Sequence, residues 1–526
     1  MSGGLANLFN AADYLVALPI ILVAMFAIGI LLIDLMLPQE WKWANAVTAL
    51  AGLALAAYGV YRAQASLSGY PAFSALAGSV VMDHFTIYFF YLFLAAAAIA
   101  VLMSVHYLEV EREHHGEYYA LLLFSVAGMM CMAAGYDIVL IFIGLELMAI
   151  STYVLVGFLR RDRRSNEAAL KYLLLGAFSS GIFAYGLSLL YGLSGSTNLG
   201  VIAQKLTQHV SDNNGHVSPV LIIALLTTIT GLLFKIAAIP FHQWAPDAYE
   251  GAPTSITAFM SVAVKAAGWA MLLRVLVGGC IVVRGNFVEG GLYPLCSVYV
   301  PLLVFVSIAT MTGANLAALT QNNLKRLLAY SSIAHVGYML LGLIALASVG
   351  YPHPAFFDGF KGILLYLLVY TFMNLGAFGV ITSLRHRDVI GDEIDDIAGL
   401  YSRAPMEAVL MLIFLLSLAG IPPLAGFYGK YFIFLSLIES GHYVLAALGV
   451  LYSVFGLYYY LRIANAMLIR PALEKERLPV SLGMKTALGI AALATVGIGV
   501  FPEPFIRIVD WSLGLVRTSA VAGLLR

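Results

Sequence analysis

The chain is a succession of apolar segments of about 18 to 25 residues, separated by short polar stretches. As a helix, a segment of this length spans the roughly 30 Å hydrocarbon core of a bilayer. Stretches such as 92–103 (LFLAAAAIAVLM) are apolar on every face, without the alternation of a membrane β-barrel strand. The pattern therefore predicts an all-α integral membrane protein.

We predict about fourteen transmembrane helices, which we number as spans 1 to 14. They cover residues 15–37, 44–64, 84–107, 118–135, 137–158, 167–192, 219–239, 256–277, 295–318, 324–347, 359–384, 405–438, 442–467 and 484–501. The polar segment 198–210 is too short to span and predicts a surface helix. Residues 503–521 either extend span 14 or lie at the membrane interface.

Basic residues indicate the orientation of these spans. Arg160–Arg164 (RRDRR) is the densest basic cluster, and cytoplasmic loops are enriched in Lys and Arg, so the loop after span 5 is predicted to be cytoplasmic. With fourteen spans, both termini then lie on the periplasmic side. The same orientation places most other loop cations inside, namely Lys42, Arg112, Lys325, Arg326, Arg385, Arg387, Arg403 and the loop 470–485.

Composition supports the membrane class and argues against several kinds of site. Hydrophobic residues make up 61% of the chain and charged residues 11%, against roughly 25% charged residues in soluble domains. The net charge of zero gives no basic face for nucleic acid. Cys131, Cys280 and Cys296 form no CxxC pair, and GxGxxG and phosphate-loop motifs are absent. The sequence therefore predicts no cofactor and no metal site in this chain.

Four charged residues stand out well inside predicted spans, where each costs about 2.5–3.5 kcal/mol on insertion scales. They are Glu146, Lys235, Lys265 and Lys430, and His335 in span 10 is a weaker fifth. For one isolated lysine, an ion pair between helices explains the charge as well as a transport path does. Four charges on consecutive or matched spans favour a path, because proton relays gather such groups. His335 alone is equally well explained as a hydrogen-bonded core histidine.

A buried amine that meets a movable carboxylate can take up and release a proton. Burial disfavours the charged amine, and a carboxylate nearby restores it. At about 6 Å and an effective dielectric near 20, one such pair is worth roughly 2.8 kcal/mol. We hypothesise that Glu146 is the partner of Lys235, although the sequence does not place the two in contact.

Span 7 is interrupted by Pro240, five residues after Lys235. The proline leaves the carbonyl of Ile236 without a helical partner, which is tolerated at membrane depth only beside protein or a wet cavity. Lys235 then lies at the negative end of a half-helix, where a cation is favoured. His242 and Asp247 follow and indicate a hydrated region.

Span 12 repeats this arrangement, since AGIPP at 419–423 echoes AAIPF at 237–241. Lys430 follows Pro422 by eight residues, beyond the break, so we expect it to lack the support of a helix C-terminus. Five spans separate the two breaks, so the second copy is inverted relative to the first. Matched interruptions in inverted halves point to the path of a transporter.

With these residues in place, the chain resembles the antiporter-like membrane subunits of respiratory complex I, the bacterial NADH–quinone oxidoreductase. The resemblance covers roughly residues 15–500. Its most specific pieces are 144–158 (GLELMAISTYVLVGF), 166–181 (NEAALKYLLLGAFSSG), 234–254 (FKIAAIPFHQWAPDAYEGAPT), 321–339 (QNNLKRLLAYSSIAHVGYM) and 417–431 (SLAGIPPLAGFYGKY). Lys430 in place of a glutamate, and the early end after span 14, favour the subunit N branch over subunits M and L.

The resemblance implies two inverted five-helix repeats, spans 4–8 and 9–13, with broken spans 7 and 12. The implied divisions are 1–117, 118–277, 278–467 and 468–526. It also implies that Glu146, Lys235, Lys265 and Lys430 carry protons. Glu167 and Lys171 match a further family motif and help link or load the path, unless they are solvated charges at a helix start.

The resemblance further implies that the redox chemistry lies in partner subunits, which hold the NADH site, flavin, iron–sulfur clusters and quinone. The expected neighbours are subunits M, K and J and membrane lipid, in the bacterial inner membrane. The rival functions are a subunit of a multisubunit sodium/proton antiporter, a passive scaffold and a solitary nutrient carrier. A path centred on lysines fits protons better than sodium, which needs carbonyl and carboxylate oxygens.

Overall fold

The structure is a computed structural model of the chain that describes residues 11–66, 72–111, 113, 115–277, 294–349, 353–385, 391–472 and 480–513. Cys280, Arg112 and Arg387, to which the sequence drew attention, lie outside these residues. The domain boundary predicted at residue 278 also lies outside them.

The described residues are almost entirely helical. The first part contains α1 (Ala11–Asp34), a 3-10 turn (Gln39–Trp41), α2 (Ala44–Ser66), α3 (His84–Glu111), α4 (Gly116–Ala134), α5 (Ile138–Val156), α6 (Arg163–Ser194), α7 (Leu199–Asp212), α8 (Pro219–Lys235) and α9 (Trp244–Gly251). The second part contains α10 (Thr254–Val275), α11 (Pro294–Leu319), α12 (Leu324–Val349), α13 (Pro354–Ser383), α14 (Leu400–Arg403), α15 (Pro405–Ala419), α16 (Ala425–Glu439), α17 (Tyr443–Leu468), α18 (Leu482–Val500) and α19 (Glu503–Ser512).

Among the described residues, twelve helices are long and apolar enough to cross a membrane. They are α1–α6, α10–α13, α17 and α18, and they match the predicted spans other than 7 and 12. Spans 7 and 12 are the ones that the sequence predicted to be broken, and their apolar helices α8 and α15 are shorter. The predicted fold class is confirmed, while the total of fourteen spans and the inverted repeat stay predictions.

Two polar segments behave as their patterns indicate. α7 buries Leu199, Ile202, Leu206 and Val210, which recur at helical spacing along one face, so it is the amphipathic surface helix expected at 198–210. After Pro502 the chain begins a separate short helix, α19, and does not extend α18.

A short hairpin before α3 was not predicted. Strand β1 (Ala72–Ala75) pairs antiparallel with β2 (Val80–Asp83), and the chain reverses through Leu76, Ala77 and Gly78 at positive φ. Glycine adopts such angles without steric cost, so Gly78 eases the turn. The hairpin delivers the side chain of Asp83, the last residue of β2, into the protein interior.

Helices α10, α12 and α13 form the centre of the molecule. Every residue of α10 is buried, and α12 and α13 are buried along most of their length. The outer helices instead present large apolar side chains outward, such as Phe178 of α6 and Val444 of α17. A helix that is apolar all round is buried inside a bundle, and polar groups on it cannot reach bulk solvent or lipid. The buried polar side chains on these helices, such as those of Lys265 and His335, therefore meet only one another and their neighbours.

Candidate functional site

Side-chain hydrogen bonds stabilise the backbone at the break between α8 and α9. The Ile239 amide donates to Thr310 Oγ1 at 3.0 Å, and Trp244 Nε1 donates to the carbonyl of Phe234 at 3.0 Å. These bonds satisfy backbone groups that the interruption removes from the helical ladder. The half-helix thus ends at Lys235 with its last turn intact.

The Lys235 amine is buried and has no hydrogen-bond partner among the described residues. Its Nζ lies 5.9 Å from the ring centroid of Tyr153. Tyr153 follows Glu146 by seven residues on α5, so the two share a face of that helix about 10.5 Å apart along its axis. Glu146 is the carboxylate whose field acts on the Lys235 amine.

The hypothesised Glu146–Lys235 pair is therefore an electrostatic coupling and not a contact. The Oε1 atom of Glu146 is buried and, like the Lys235 amine, has no hydrogen-bond partner in the described part of the chain. Two opposite charges that no hydrogen bond holds together can change their separation, and their interaction energy changes with it.

Lys265 lies at the centre of α10, directly after a π-helical turn, Met260–Val264. It is buried, and its Nζ donates to Ser332 Oγ of α12 at 2.5 Å. The absent side chain of Gly268, one turn further along α10, leaves room for Lys235, whose Cβ would lie 3.6 Å from an added methyl. The two lysines thus occupy neighbouring positions where α8 meets α10.

His335 is buried inside a cage of tyrosines. Its Nδ1 hydrogen-bonds the hydroxyl of Tyr366 at 2.5 Å, and its Nε2 hydrogen-bonds that of Tyr460 at 3.0 Å. The Tyr460 hydroxyl also bonds Ser331 Oγ at 2.5 Å. Ser331 adjoins Ser332 on α12, so the hydrogen-bonded series Ser331–Tyr460–His335–Tyr366 begins one residue from the partner of the Lys265 amine.

Lys430 lies near the His335 cluster, with the ring of Tyr338 between them. Its Nζ lies 5.0 Å from the ring centroid of Tyr338, and that ring is 5.9 Å from the His335 ring. The same amine donates to the carbonyl of Ala419 at 2.9 Å. Ala419 is the last residue of α15, so the Lys430 amine lies at the negative end of that half-helix.

The expectation that Lys430 lacks the support of a helix C-terminus is therefore wrong. The chain reverses at Gly420, whose φ is +88°, and α16 begins only five residues later. Gly426 allows the close return, because a side chain there would collide with the Ser417 carbonyl. Lys430 consequently folds back onto the helix end that precedes it in sequence.

Comparison with known proteins places this arrangement in a family. The family model described as "NADH:quinone oxidoreductase/Mrp antiporter, TM" matches residues 135–456, more than half of the chain. The chain belongs to this family. It is also 62% identical over 529 residues to "NADH-quinone oxidoreductase subunit N 1" of Koribacter versatilis, with 99% of each chain covered.

Solved structures of the antiporter family share this fold. A chain of "Respiratory complex I from Thermus thermophilus with bound Aureothin" is 30% identical, with 93% of this chain and 98% of that chain covered and a TM-score of 0.75. A chain of "Structure of Mrp complex from Dietzia sp. DQ12-45-1b" is 18% identical, covers 98% and 100%, and has a TM-score of 0.80. At that identity the second likeness shows the fold alone.

Glu167 and Lys171 lie outside this buried line, at the start of α6. They form an i,i+4 ion pair at 2.9 Å, and Lys171 also reaches Asp247 at 3.0 Å. Arg326 binds both Asp247 and Glu250, at 2.8 and 2.7 Å. The structure thus places the Glu167–Lys171 pair in a surface network that joins α6, α9 and α12.

Arg274 is a further buried charge, which the sequence analysis did not single out. It lies near the end of α10, and two of its nitrogens donate to the carboxylate of Asp83, at 2.7 and 3.2 Å. It also donates to the Thr86 hydroxyl and to the Ala133 carbonyl. Its charge is matched by a carboxylate in contact, unlike that of Lys235, Lys265 and Lys430. The described residues thus contain a buried cation in an ion pair, Arg274, and buried amines whose hydrogen-bond partners, where present, are neutral.

Proposed function

We propose that the chain is a proton-translocating membrane subunit of an NADH–quinone oxidoreductase. Quinone reduction elsewhere in the complex would drive protons through its buried line of Glu146, Lys235, Lys265, His335 and Lys430. The family membership and the close similarity to curated subunit N proteins support the assembly. The geometry of the line supports the chemistry.

The observation that carries the proposal is the bonding of the three buried amines. Lys265 donates to a hydroxyl, Lys430 to a carbonyl, and Lys235 to no described atom. A structural ion pair needs its opposite charge in contact, since a buried cation is otherwise costly. Neutral acceptors instead let an amine exist with or without its proton. Helix locking, the rival explanation, fits Arg274 and not these lysines.

The energies involved match those of a membrane pump. Moving one proton against 100 mV costs about 2.3 kcal/mol. A carboxylate about 6 Å from an amine contributes roughly 2.8 kcal/mol at an effective dielectric near 20. Separating Glu146 from Lys235 would therefore change the free energy of the protonated amine by about as much as it costs to move one proton across the membrane. The hydrogen-bonded series Ser331–Tyr460–His335–Tyr366 would then carry the proton between the second lysine and the third.

The wider arrangement follows the family. Subunits M, K and J are proposed as neighbours, with membrane lipid around the outer helices and both termini on the periplasmic side. NADH, flavin, iron–sulfur clusters and quinone would be bound by partner subunits. The divisions 118–277 and 278–467 would be the inverted repeats that carry Lys235 and Lys430, and Glu167 with Lys171 would link the surface network to the first of them. A sodium/proton antiporter, the rival, predicts transport that depends on sodium and survives loss of NADH oxidation.

Lys235→Met is expected to abolish most proton translocation by this subunit in the assembled complex, because methionine fills the space but cannot hold a proton. We expect a fall in the rate of about a hundredfold or more, the lower end of the range that a positioned acid or base contributes. Proton pumping and NADH-driven quinone reduction are measured together in native membranes. The control is Lys205→Met, at an exposed site on α7, which should change neither. A correctly assembled Lys235→Met complex with normal pumping would refute the proposal.

A further inference from the structure

Lys325 is a buried cation that the proposed line does not use. It is the second residue of α12, on the side of the molecule that the basic loops assign to the cytoplasm, and only 3% of it is exposed. Its Nζ donates to the Ala252 carbonyl at 2.8 Å, and the nearest carboxylate oxygen, Asp392 Oδ2, is 3.9 Å away. Like Lys265 and Lys430, it is bonded to a neutral acceptor.

The segment 391–394 covers Lys325. The Leu324 amide donates to the Asp392 carbonyl at 2.6 Å, and the Ile394 amide donates to the Asn322 carbonyl at 3.0 Å. These bonds fasten the segment over the start of α12 and leave 13% of the Asp392 side chain exposed. Asp392 thus lies between water and the buried amine.

Asp392 is suited to hold a proton. Burial raises its pKa, and the opposing cations Lys325 and Arg385 lower it less. Arg385 forms an ion pair with Glu111 at 2.5 Å. The carboxylates of Glu250 and Asp162 also act electrostatically on Lys325. The carboxylate of Asp396 acts in the same way on Asp392.

Two elements lead inward from Lys325 to Lys265. On α12, Ser332 follows Lys325 by seven residues, so both lie on one face about 10.5 Å apart along the axis. Ser332 is the residue that accepts the bond from Lys265. On α9, Tyr249 is three residues before Ala252, and its ring centroid lies 5.6 Å from the Lys265 amine.

We propose that Asp392 and Lys325 form a proton uptake gate that feeds Lys265 from the cytoplasmic side. This inference rests on the proposed function and adds to it the residues through which the line takes up protons on the cytoplasmic side. The carboxyl O–H of Asp392 breaks as an N–H forms on a neutral Lys325, which leaves a carboxylate beside an ammonium. The ammonium then releases a proton inward, through water and the Ser332 hydroxyl, to Lys265. The carboxylate takes the next proton from cytoplasmic water.

The test is Asp392→Asn in the whole complex, reconstituted in vesicles with the cytoplasmic face outward. NADH-driven quinone reduction is measured with an uncoupler present, so that the membrane potential does not limit the rate. We expect the rate to fall about tenfold or more. The matched control is Asp395→Asn, one residue after that segment and with 79% of its side chain exposed, which should leave the rate unchanged.

A small weak acid added outside the vesicles gives a readout that a structural role would not move. Formic acid should restore the rate of Asp392→Asn severalfold, because it carries protons to Lys325 directly, and should not speed the wild type or Asp395→Asn. Lys325→Gln keeps a donor for the Ala252 carbonyl but no titratable group, and is expected to be slow and not rescued. It serves as the second variant should Asp392→Asn fail to assemble.

An assembled Asp392→Asn or Lys325→Gln complex with wild-type rates would overturn the gate, as would a slow Asp392→Asn complex that formic acid does not speed. Lys265→Met, measured in parallel, separates this failure from that of the proposed function. If Lys265→Met slows quinone reduction while the gate variants keep the wild-type rate, only the gate is wrong. If Lys265→Met also keeps the wild-type rate, the proton line itself is wrong.

Discussion

Proton translocation through this subunit is expected to stop when Lys265 is replaced by methionine, with a loss of about a hundredfold in rate. Lys265 donates a hydrogen bond to Ser332 of α12. One turn further along α10, Gly268 lies against Lys235. Methionine fills the same space in the fully buried α10 and leaves no group there that can hold a proton. The loss lies within the range that a positioned acid or base contributes. Acidification of the vesicle lumen per NADH oxidised measures the effect.

Lys265→Arg distinguishes a proton carrier from a fixed charge. A guanidinium keeps the positive charge and the hydrogen bond to Ser332, but it does not give up its proton in proteins. The arginine variant should therefore block translocation as fully as the methionine variant. Restored pumping in Lys265→Arg would show that the residue serves only as a charge.

The second large effect is expected on stability, from Arg274→Met. Asp83 is fully buried, and removal of the arginine leaves its charge without a partner. Breaking such a pair on one side costs about 3–5 kcal/mol, enough to lower the amount of assembled subunit severely. Thermal unfolding of the purified complex and the subunit content of membranes measure this loss.

The double variant Arg274→Met with Asp83→Asn is the control for this prediction. Asparagine keeps the cap of α3, where the Thr86 amide now bonds Asp83 Oδ1 at 2.7 Å, but removes the stranded charge. The double variant should regain a large part of the lost stability. Equal stability of wild type and Arg274→Met would contradict the buried pair as a structural lock.

Much of the fold was predictable because the length and apolar composition of a segment identify it as a membrane helix. The broken spans were visible from prolines close to buried lysines, at Pro240 and Pro422. The hairpin before α3 was not, since its strands are four residues each and their alternation is too brief to distinguish from a loop.

The partners of the site residues could not be predicted from the chain alone. Asp83 and Arg274 are 191 residues apart, and His335 and Tyr460 are 125 apart, so only the folded bundle brings them together. Tyr460 also resembles its neighbours in an aromatic stretch, and no pattern marks it as a relay. The misjudged Lys430 has the same origin, because distance along the chain did not reveal the reversal at Gly420.

The central claim is that Lys235, Lys265 and Lys430 belong to one continuous path, and the proton-to-electron ratio tests it most directly. The ratio is measured in assembled complexes that carry each methionine variant alone and in pairs. Residues that act as one unit are non-additive, so each single variant should lower the ratio by the same amount and each pair should lower it no further. Losses that add from one variant to the next, or any single variant with the full ratio, would contradict a single path.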